Sequence, residues 1–86
     1  MNFEIEHNRI LQKNNAGKIV AEITFPETLS GVFVIDHTFV DESLRGQGVA
    51  SKLVQAVVDE IKTRGGQVKA TCSYAAKWLN EHEQTY

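Results

Sequence analysis

The sequence predicts an α+β fold in which strands and helices follow in the order β-β-β-β-α-β-α. Two observations predict this class. Before residue 41, apolar residues recur at every second position in several short segments, as in half-buried strands. After Gly48 they recur at intervals of three and four, the period of an amphipathic helix. A chain of 86 residues has the size of one small domain, so residues 1–86 are expected to form a single unit.

Four strands are expected before the first helix. The first two are short apolar segments at 3–5 and 10–11, and the third, 19–25, alternates apolar and polar residues. A turn is expected over Pro26–Gly31. The fourth strand, Val32–Val40, is β-branched and aromatic almost throughout, so it is expected to be a central strand covered on both faces.

The main helix is expected to begin after Gly48 and to stop at Gly65-Gly66, because glycine commonly ends a helix. A fifth strand is expected over Gln67–Cys72. A short final helix follows from Ser73 or Tyr74, with an inward-facing stripe made of Ala75, Trp78, Leu79 and His82.

Composition and charge argue against several classes of function. The formal net charge is -2, with nine Lys and Arg against eleven Asp and Glu, so no basic stripe favours nucleic acid or a membrane surface. No apolar segment approaches the roughly 18 to 20 residues that span a bilayer, and the first eight residues lack a signal-peptide core. Cys72 is the only cysteine, which excludes an internal disulfide. A cytoplasmic protein without a metal is expected, as a monomer or weak homodimer.

The segment Leu44–Ser51 carries the clearest functional signal. Gly46 and Gly48 allow main-chain N–H groups to approach a ligand where a strand gives way to a helix. These N–H groups and the positive end of the helix dipole suit a pyrophosphate. Arg45 could add a contact to the phosphates, or it could pair with Glu42 instead.

Two common phosphate sites do not fit this segment. A P-loop requires Gly-Lys-Ser/Thr, which is absent, and Ser51 stands where a dinucleotide-binding fold has its third glycine. A tight connection between strand and helix, with no ligand at all, would explain the two glycines equally well.

Within this segment, Arg45, Gly48 and Ala50 resemble the Arg/Gln-x-x-Gly-x-Gly/Ala signature by which GNAT N-acetyltransferases hold the pyrophosphate of acetyl-CoA. A subfamily of very small GNAT-like proteins resembles this chain further, at Asp36-His37-Thr38, Arg45–Val54 and Cys72-Ser73-Tyr74. The likeness covers about residues 32–82. It implies a mixed, mostly antiparallel sheet with two helices, and acetyl-CoA as the co-substrate.

The resemblance also implies where the co-substrate binds. In that family the strand before the loop diverges from the strand after the helix, and the pantetheine arm lies in the gap. Here those strands end near Val40 and Cys72. The residues implied to contact acetyl-CoA, mainly through main-chain groups, are Phe39, Val40, Arg45, Gly46, Gln47, Gly48, Val49, Ala50 and Ser51.

Amine acetylation needs a deprotonated amine, stabilisation of an oxyanion and a proton for the departing thiolate. His37 is the candidate general base, because imidazole titrates near neutrality and the subfamily resembles this chain there. A buried histidine bonded to a carbonyl is the open alternative. Asp36 could orient His37 or bind a cationic substrate, although neighbours on a strand point to opposite faces.

Cys72 is the second catalytic candidate. A thiolate there could accept the acetyl group and pass it on, provided that a nearby histidine or the N-terminus of the next helix lowers its pKa. A small apolar packing role is the alternative, and direct transfer in a ternary complex is usual in GNAT enzymes. These enzymes often use a tyrosine of the last helix as general acid, a position that Tyr74 only approaches.

The resemblance leaves the acceptor open. Full-length GNAT proteins carry helices between their first two strands, and the interval Asn8–Lys18 is too short for them, so an open acceptor site is expected. Three functions remain: an N-acetyltransferase acting on an unidentified amine of a small molecule or protein, a non-catalytic acetyl-CoA or CoA-binding module serving as sensor or adaptor, and a small structural domain.

Overall fold

The computed structural model describes residues 2–82 and confirms an α+β fold with two α-helices. Within these residues the strands are β1 (Glu4–Ile5), β2 (Arg9–Lys13), β3 (Ile19–Thr24), β4 (Glu27–Leu29), β5 (Val32–Ile35), β6 (His37–Val40) and β7 (Gln67–Ala70). The helices are α1 (Val49–Arg64) and α2 (Ser73–Glu81), and a 3-10 turn covers Glu42–Leu44.

The strands form two small sheets that meet at Asp36. Sheet A is antiparallel in the order β1-β2-β3-β6, and sheet B has the order β4-β5-β7. Within sheet B, β4 and β5 are antiparallel, while β5 and β7 are parallel. Parallel strands need a crossover connection, and α1 is part of the connection between β5 and β7. Only Asp36 separates β5 from β6, so one extended segment contributes to both sheets.

The prediction of one central strand over Val32–Val40 is therefore wrong in its second half. The Asp36 N–H donates to the Thr24 carbonyl (3.2 Å), which turns the chain into sheet A. There β6 is an edge strand, and its His37 and Phe39 side chains are exposed. The predicted turn over residues 26–31 likewise contains a strand, β4, which pairs with β5.

The core lies between α1 and the two sheets. The inward face of α1 is buried along its whole length, at Val49, Leu53, Val54, Val57, Val58 and Ile61. Trp78 of α2 is 5% exposed and joins this core, with Leu79 packed against it, as the spacing predicted. Burying each such side chain contributes about 1.5–3 kcal/mol, so α1 is the main organiser of the fold.

Candidate functional site

The strands β6 and β7 diverge beyond Ile35. Its carbonyl accepts two hydrogen bonds, from the N–H of Thr71 (2.9 Å) and from the N–H of Cys72 (3.1 Å). After this point β6 pairs with β3, while the chain after β7 enters α2. A gap therefore opens between β6 and the start of α2, as the resemblance implied.

The edge of β6 that is free of β3 has its own pattern of main-chain groups. The Asp41 N–H donates to the Val20 carbonyl (2.8 Å), and bonded positions alternate in an antiparallel pair. Phe39 is therefore bonded to β3, whereas the N–H and C=O groups of Thr38 and Val40 point to the open edge. Of the two residues predicted to offer main-chain contacts, Val40 has the suitable orientation and Phe39 does not.

The loop before α1 has a fixed conformation. Asp41 accepts hydrogen bonds from the hydroxyl of Ser43 (2.7 Å) and from its N–H (3.0 Å), and these two bonds hold the pKa of the Asp41 carboxyl below its usual range. Gly46 and Gly48 have φ of 82° and 71°, in the left-handed region that other residues rarely adopt. The two glycines are thus required by the backbone itself.

The first turn of α1 presents unused donors. Gly48 precedes the helix and has no side chain to cap it, and the first N–H groups of any helix lack intrahelical partners. The N–H groups of Val49, Ala50 and Ser51 are therefore open to an anion, aided by the helix dipole. Arg45 is exposed and forms no salt bridge with Glu42 in the part of the chain described here.

A groove of about 250 Å³ lies in front of this turn, at the mouth of the gap. It is lined by Val40, Leu44, Arg45, Gly46, Gly48, Val49, Ala50, Ser51 and Tyr74. Phe39 and Gln47, which were expected to contact the co-substrate, do not line it. Leu44 and Tyr74 do, and neither was assigned a binding role from the sequence. Tyr74 reaches the groove because the divergence of the strands brings the start of α2 beside the start of α1.

Cys72 lies at the inner end of the gap, half-buried, directly before α2. Its Sγ is 3.7 Å from the hydroxyl oxygen of Thr38. Burial raises the pKa of Cys72, but the Ala75 N–H, the Thr38 hydroxyl and the Tyr74 N–H outweigh burial and hold the pKa below its ordinary value. Of the two causes considered from the sequence, the helix N-terminus acts here and a histidine does not.

His37 lies on the other side of β6. Successive strand residues face opposite ways, so the side chain of Thr38 faces Cys72 while that of His37 faces away from it. The exposed position of His37 rules out the alternative of a buried histidine bonded to a carbonyl. Asp36 does not orient the imidazole, because its carboxylate accepts a hydrogen bond from the Thr24 hydroxyl instead.

A larger cavity, of about 540 Å³, opens beside Asp36, the residue before His37, and His37 itself does not line it. It is lined by the turn at residues 6–9 together with Thr24, Pro26 and Asp36, and Thr24 is the cross-strand partner of His37. The turn is held by Arg64, whose guanidinium donates to the carbonyls of residues 6 and 7 (3.2 and 2.8 Å). This wall of the cavity is therefore formed in advance of any ligand.

Trp78 and His82 of α2 have structural partners. The Trp78 indole N–H donates to the Ser51 hydroxyl (2.8 Å), which ties α2 to the first turn of α1. His82 stacks on Trp78 with ring centroids 4.0 Å apart, and its Nδ1–H donates to the Trp78 carbonyl (2.8 Å). His82 is exposed, so the prediction that it belongs to the inward-facing stripe of this helix is wrong, and it packs on the Trp78 ring at the end of α2.

Residues 2–82 contain no group of three or more His, Cys, Asp or Glu side chains placed to hold a metal ion. Neither helix in this range has the length and apolar character needed to cross a membrane.

Two diverging strands, a groove at their mouth and a glycine loop that opens a helix define the fold of acetyl-CoA-dependent N-acetyltransferases. The family model described as GCN5-related N-acetyl-transferase matches residues 3–86. The chain therefore belongs to the GCN5-related N-acetyltransferase (GNAT) family, and acetyl transfer with acetyl-CoA as co-substrate is the general reaction of that family.

Solved structures agree with this assignment. A GCN5-like protein of Staphylococcus aureus, described as a candidate N-acetyltransferase, is 30% identical, with a TM-score of 0.78 over 95% of this chain and 80% of its own. An acetyltransferase of Bacillus cereus is 27% identical, with a TM-score of 0.67 over 86% of this chain. A GCN5-related N-acetyltransferase of Sphaerobacter thermophilus is 30% identical, with a TM-score of 0.64 over 72% of this chain. The chain spans only 54% and 20% of the last two proteins. A comparison with curated proteins finds no match.

Proposed function

We propose that this protein transfers the acetyl group of acetyl-CoA to an amine, with residues 1–86 acting as one catalytic domain. The proposal depends on one observation: the start of α1 and the gap between β6 and α2 meet at a single groove. The open N–H groups at the start of α1 face this groove, and Val40 and Tyr74 connect it to the gap beside Cys72. A thioester with a pyrophosphate at its far end fits such a site.

The residues around the groove divide the binding of acetyl-CoA between them. The N–H groups of Val49, Ala50 and Ser51 hold the pyrophosphate. The Arg45 N–H, which was also expected to contact it, donates to the Glu42 carbonyl instead (3.1 Å), so Arg45 contributes a charge-assisted contact through its guanidinium. The open edge of β6 offers the Thr38 carbonyl and the main-chain groups of Val40 to the amide groups of the pantetheine arm. When bound, acetyl-CoA supplies the activated acyl group.

For direct transfer, His37 acts as the general base from the exposed face of β6. It accepts a proton from the acceptor ammonium, and the free amine attacks the thioester carbonyl carbon. A C–N bond forms, the C–S bond breaks, and the departing CoA thiolate takes the second proton, which the attacking nitrogen loses.

A two-step route through Cys72 uses the same gap. The Cys72 thiolate attacks the thioester carbonyl, a new S–C bond forms, and CoA departs as a thiolate that takes a proton from solvent. The acceptor amine then attacks the carbonyl carbon of the acetyl-cysteine thioester. A C–N bond forms, the C–S bond to Cys72 breaks, and the Cys72 thiolate leaves while the nitrogen loses a proton. The lowered pKa of Cys72 supports this route, and a reducing cytoplasm would keep the thiol free.

The acceptor reaches the site from the cavity at Asp36, whose wall includes Thr24, the cross-strand partner of His37. Residues 9–13, within the interval where longer GNAT proteins carry helices, form β2, so the cavity stays open to an amine on a small molecule or protein. Asp36 on its wall has no cationic partner among residues 2–82, which favours a positively charged acceptor.

Calorimetric titration with acetyl-CoA and with CoA, followed by a turnover assay on a panel of amines, tests this function. Replacing a general base lowers turnover about 100-fold or more, so His37→Gln should lose turnover while keeping its affinity for acetyl-CoA. His82→Gln is the matched control, because His82 only packs on Trp78, and it should retain activity. Binding without turnover on any amine would support a non-catalytic module instead, and absence of binding would overturn the proposal.

A further inference from the structure

The contact between Thr38 and Cys72 crosses the gap between the diverging elements. The two residues are 34 positions apart in the chain, and their side-chain oxygen and sulfur are 3.7 Å apart. Both are half-buried, so the contact is only partly exposed to solvent. It lies just beyond the two hydrogen bonds to Ile35, at the closed end of the gap.

The chemistry of this contact depends on the protonation state of the cysteine. A hydroxyl is both a donor and an acceptor. A Cys72 thiol donates to the Thr38 oxygen, and a Cys72 thiolate accepts from the Thr38 O–H. Hydrogen bonding to the charged form favours that form, so the hydroxyl stabilises the thiolate. The Thr38 N–H, which points to the same edge of β6, is a second donor from the same residue.

A threonine is suited to this position for a mechanical reason. Two heavy atoms on Cβ restrict rotation about χ1, and β6 fixes which face the side chain takes. Thr38 lies opposite Ile23 of β3 in the sheet register, and Ile23 is fully buried. The hydroxyl is thus held toward the gap by a rigid strand.

We propose that Thr38 is a positioning residue that holds the Cys72 sulfur at the closed end of the gap and stabilises its thiolate for reaction with an acyl group. The inference rests on the proposed function for the identity of that acyl group, acetyl-CoA. Thr38 itself forms no covalent bond and keeps its proton. When Cys72 attacks the thioester carbonyl, the negative charge passes from its sulfur to the departing CoA sulfur.

The groups that face Cys72 come from β6, α2 and β5. On β6 the nearest titratable side chain is His37, which points to the opposite face. On α2 it is the phenol of Tyr74, which lines the groove. β5 contributes the uncharged carbonyl of Ile35. The strongest influences on the sulfur besides its burial are hydrogen-bond donors, so a change of the Thr38 hydroxyl should be measurable.

The test is the rate of alkylation of Cys72 by iodoacetamide as a function of pH, followed by intact mass. The chain has one cysteine, so every adduct reports on Cys72. The native protein should show a midpoint below the ordinary thiol value of about 8.5. Thr38→Val removes the hydroxyl at nearly constant shape and should slow alkylation at neutral pH about tenfold, since bonds to charged groups are the stronger ones. Thr38→Ser should retain the native midpoint.

Three further measurements distinguish the possible outcomes of this test. In concentrated urea all variants should alkylate at one rate, which checks that the effect needs the fold. The affinity of Thr38→Val for acetyl-CoA should stay near that of the native protein, whereas acetylation of Cys72, measured by intact mass, should slow. An unchanged midpoint in Thr38→Val, or an equal shift in Thr38→Ser, would overturn the role of the hydroxyl. Native protein that alkylates as expected but does not bind acetyl-CoA would overturn the proposed function alone.

Discussion

The glycines at the two ends of α1 have nearly the same backbone conformation, but the main-chain groups beside them differ in their hydrogen-bond partners. Gly48 precedes the helix at φ 71° and ψ 24°, and Gly65 follows it at φ 78° and ψ 21°. At the C-terminal end the Gly65 N–H donates to the Lys62 carbonyl (3.0 Å) and the Gly66 N–H to the Ile61 carbonyl (2.9 Å), so the last turn is closed by the chain itself. At the N-terminal end the first N–H groups face a groove.

The difference teaches that a left-handed glycine does not by itself indicate a ligand site. Both glycines satisfy the same steric requirement. What distinguishes Gly48 is that the polar groups beside it have no partner within the helix, and that Arg45 lies next to them without a salt bridge to Glu42. Substitutions at the two ends should therefore separate binding from stability.

The largest expected effect is on affinity, at Gly48. Gly48→Glu places a negative charge and bulk at the proposed pyrophosphate site, so affinity for acetyl-CoA should fall by about 100-fold or more, equivalent to about 2.7 kcal/mol. Gly65→Glu is the matched control, because it imposes a similar backbone strain of about 1–2 kcal/mol at the far end of the helix. Calorimetry should show near-native affinity for Gly65→Glu. Equal loss of affinity in both variants would contradict the site at α1.

The next effect is on stability alone, at the C-terminal end. A Cβ on Gly66 would lie 2.8 Å from the Gly31 carbonyl oxygen and 3.1 Å from the Ile61 side chain. Gly66→Ala should therefore lower the free energy of unfolding by about 1–3 kcal/mol, measured by urea denaturation. Its affinity for acetyl-CoA should be unchanged at temperatures where it is folded. A fully stable Gly66→Ala protein would mean that the two chain segments can separate at little cost.

The smallest effect is expected at Arg45, at the groove end of α1. Its side chain is exposed, and exposed ion pairs contribute only about 0.2–1 kcal/mol. Arg45→Gln should weaken acetyl-CoA binding about two- to fivefold and should reduce the salt dependence of binding, because one cation no longer contacts the phosphates. Titrations at low and high salt measure both changes. A salt dependence equal to that of the native protein would show that Arg45 does not contact the anion.

The two ends of α1 also show how much the sequence could predict. Apolar spacing and the glycines at both ends predicted the helix almost to the residue, because these signals are local. The break at Asp36 was missed for the opposite reason. Residues on both sides of Asp36 favour strands equally, and the bonds that divide them, to the Thr24 carbonyl and from Thr71 and Cys72 to Ile35, join distant parts of the chain.

The site divides in the same way. The glycine loop was recognisable because a turn into a helix is encoded within a few residues. Thr38 was not, since its significance depends on a sulfur 34 residues away. Phe39, and not Thr38, was predicted to offer main-chain groups to the co-substrate, because a sequence does not reveal which edge of a strand is bonded to its neighbour. That choice follows only from the register between β3 and β6.

The turn at residues 6–9 is separate from the groove at the start of α1. It forms one wall of the cavity at Asp36 and is fastened by Arg64, yet it supplies nothing to the groove at the start of α1. A longer or differently charged turn inserted there would reshape this cavity and leave the groove at the start of α1 unchanged. Substitutions or insertions in this turn are therefore a way to change what the cavity accepts without changing the groove.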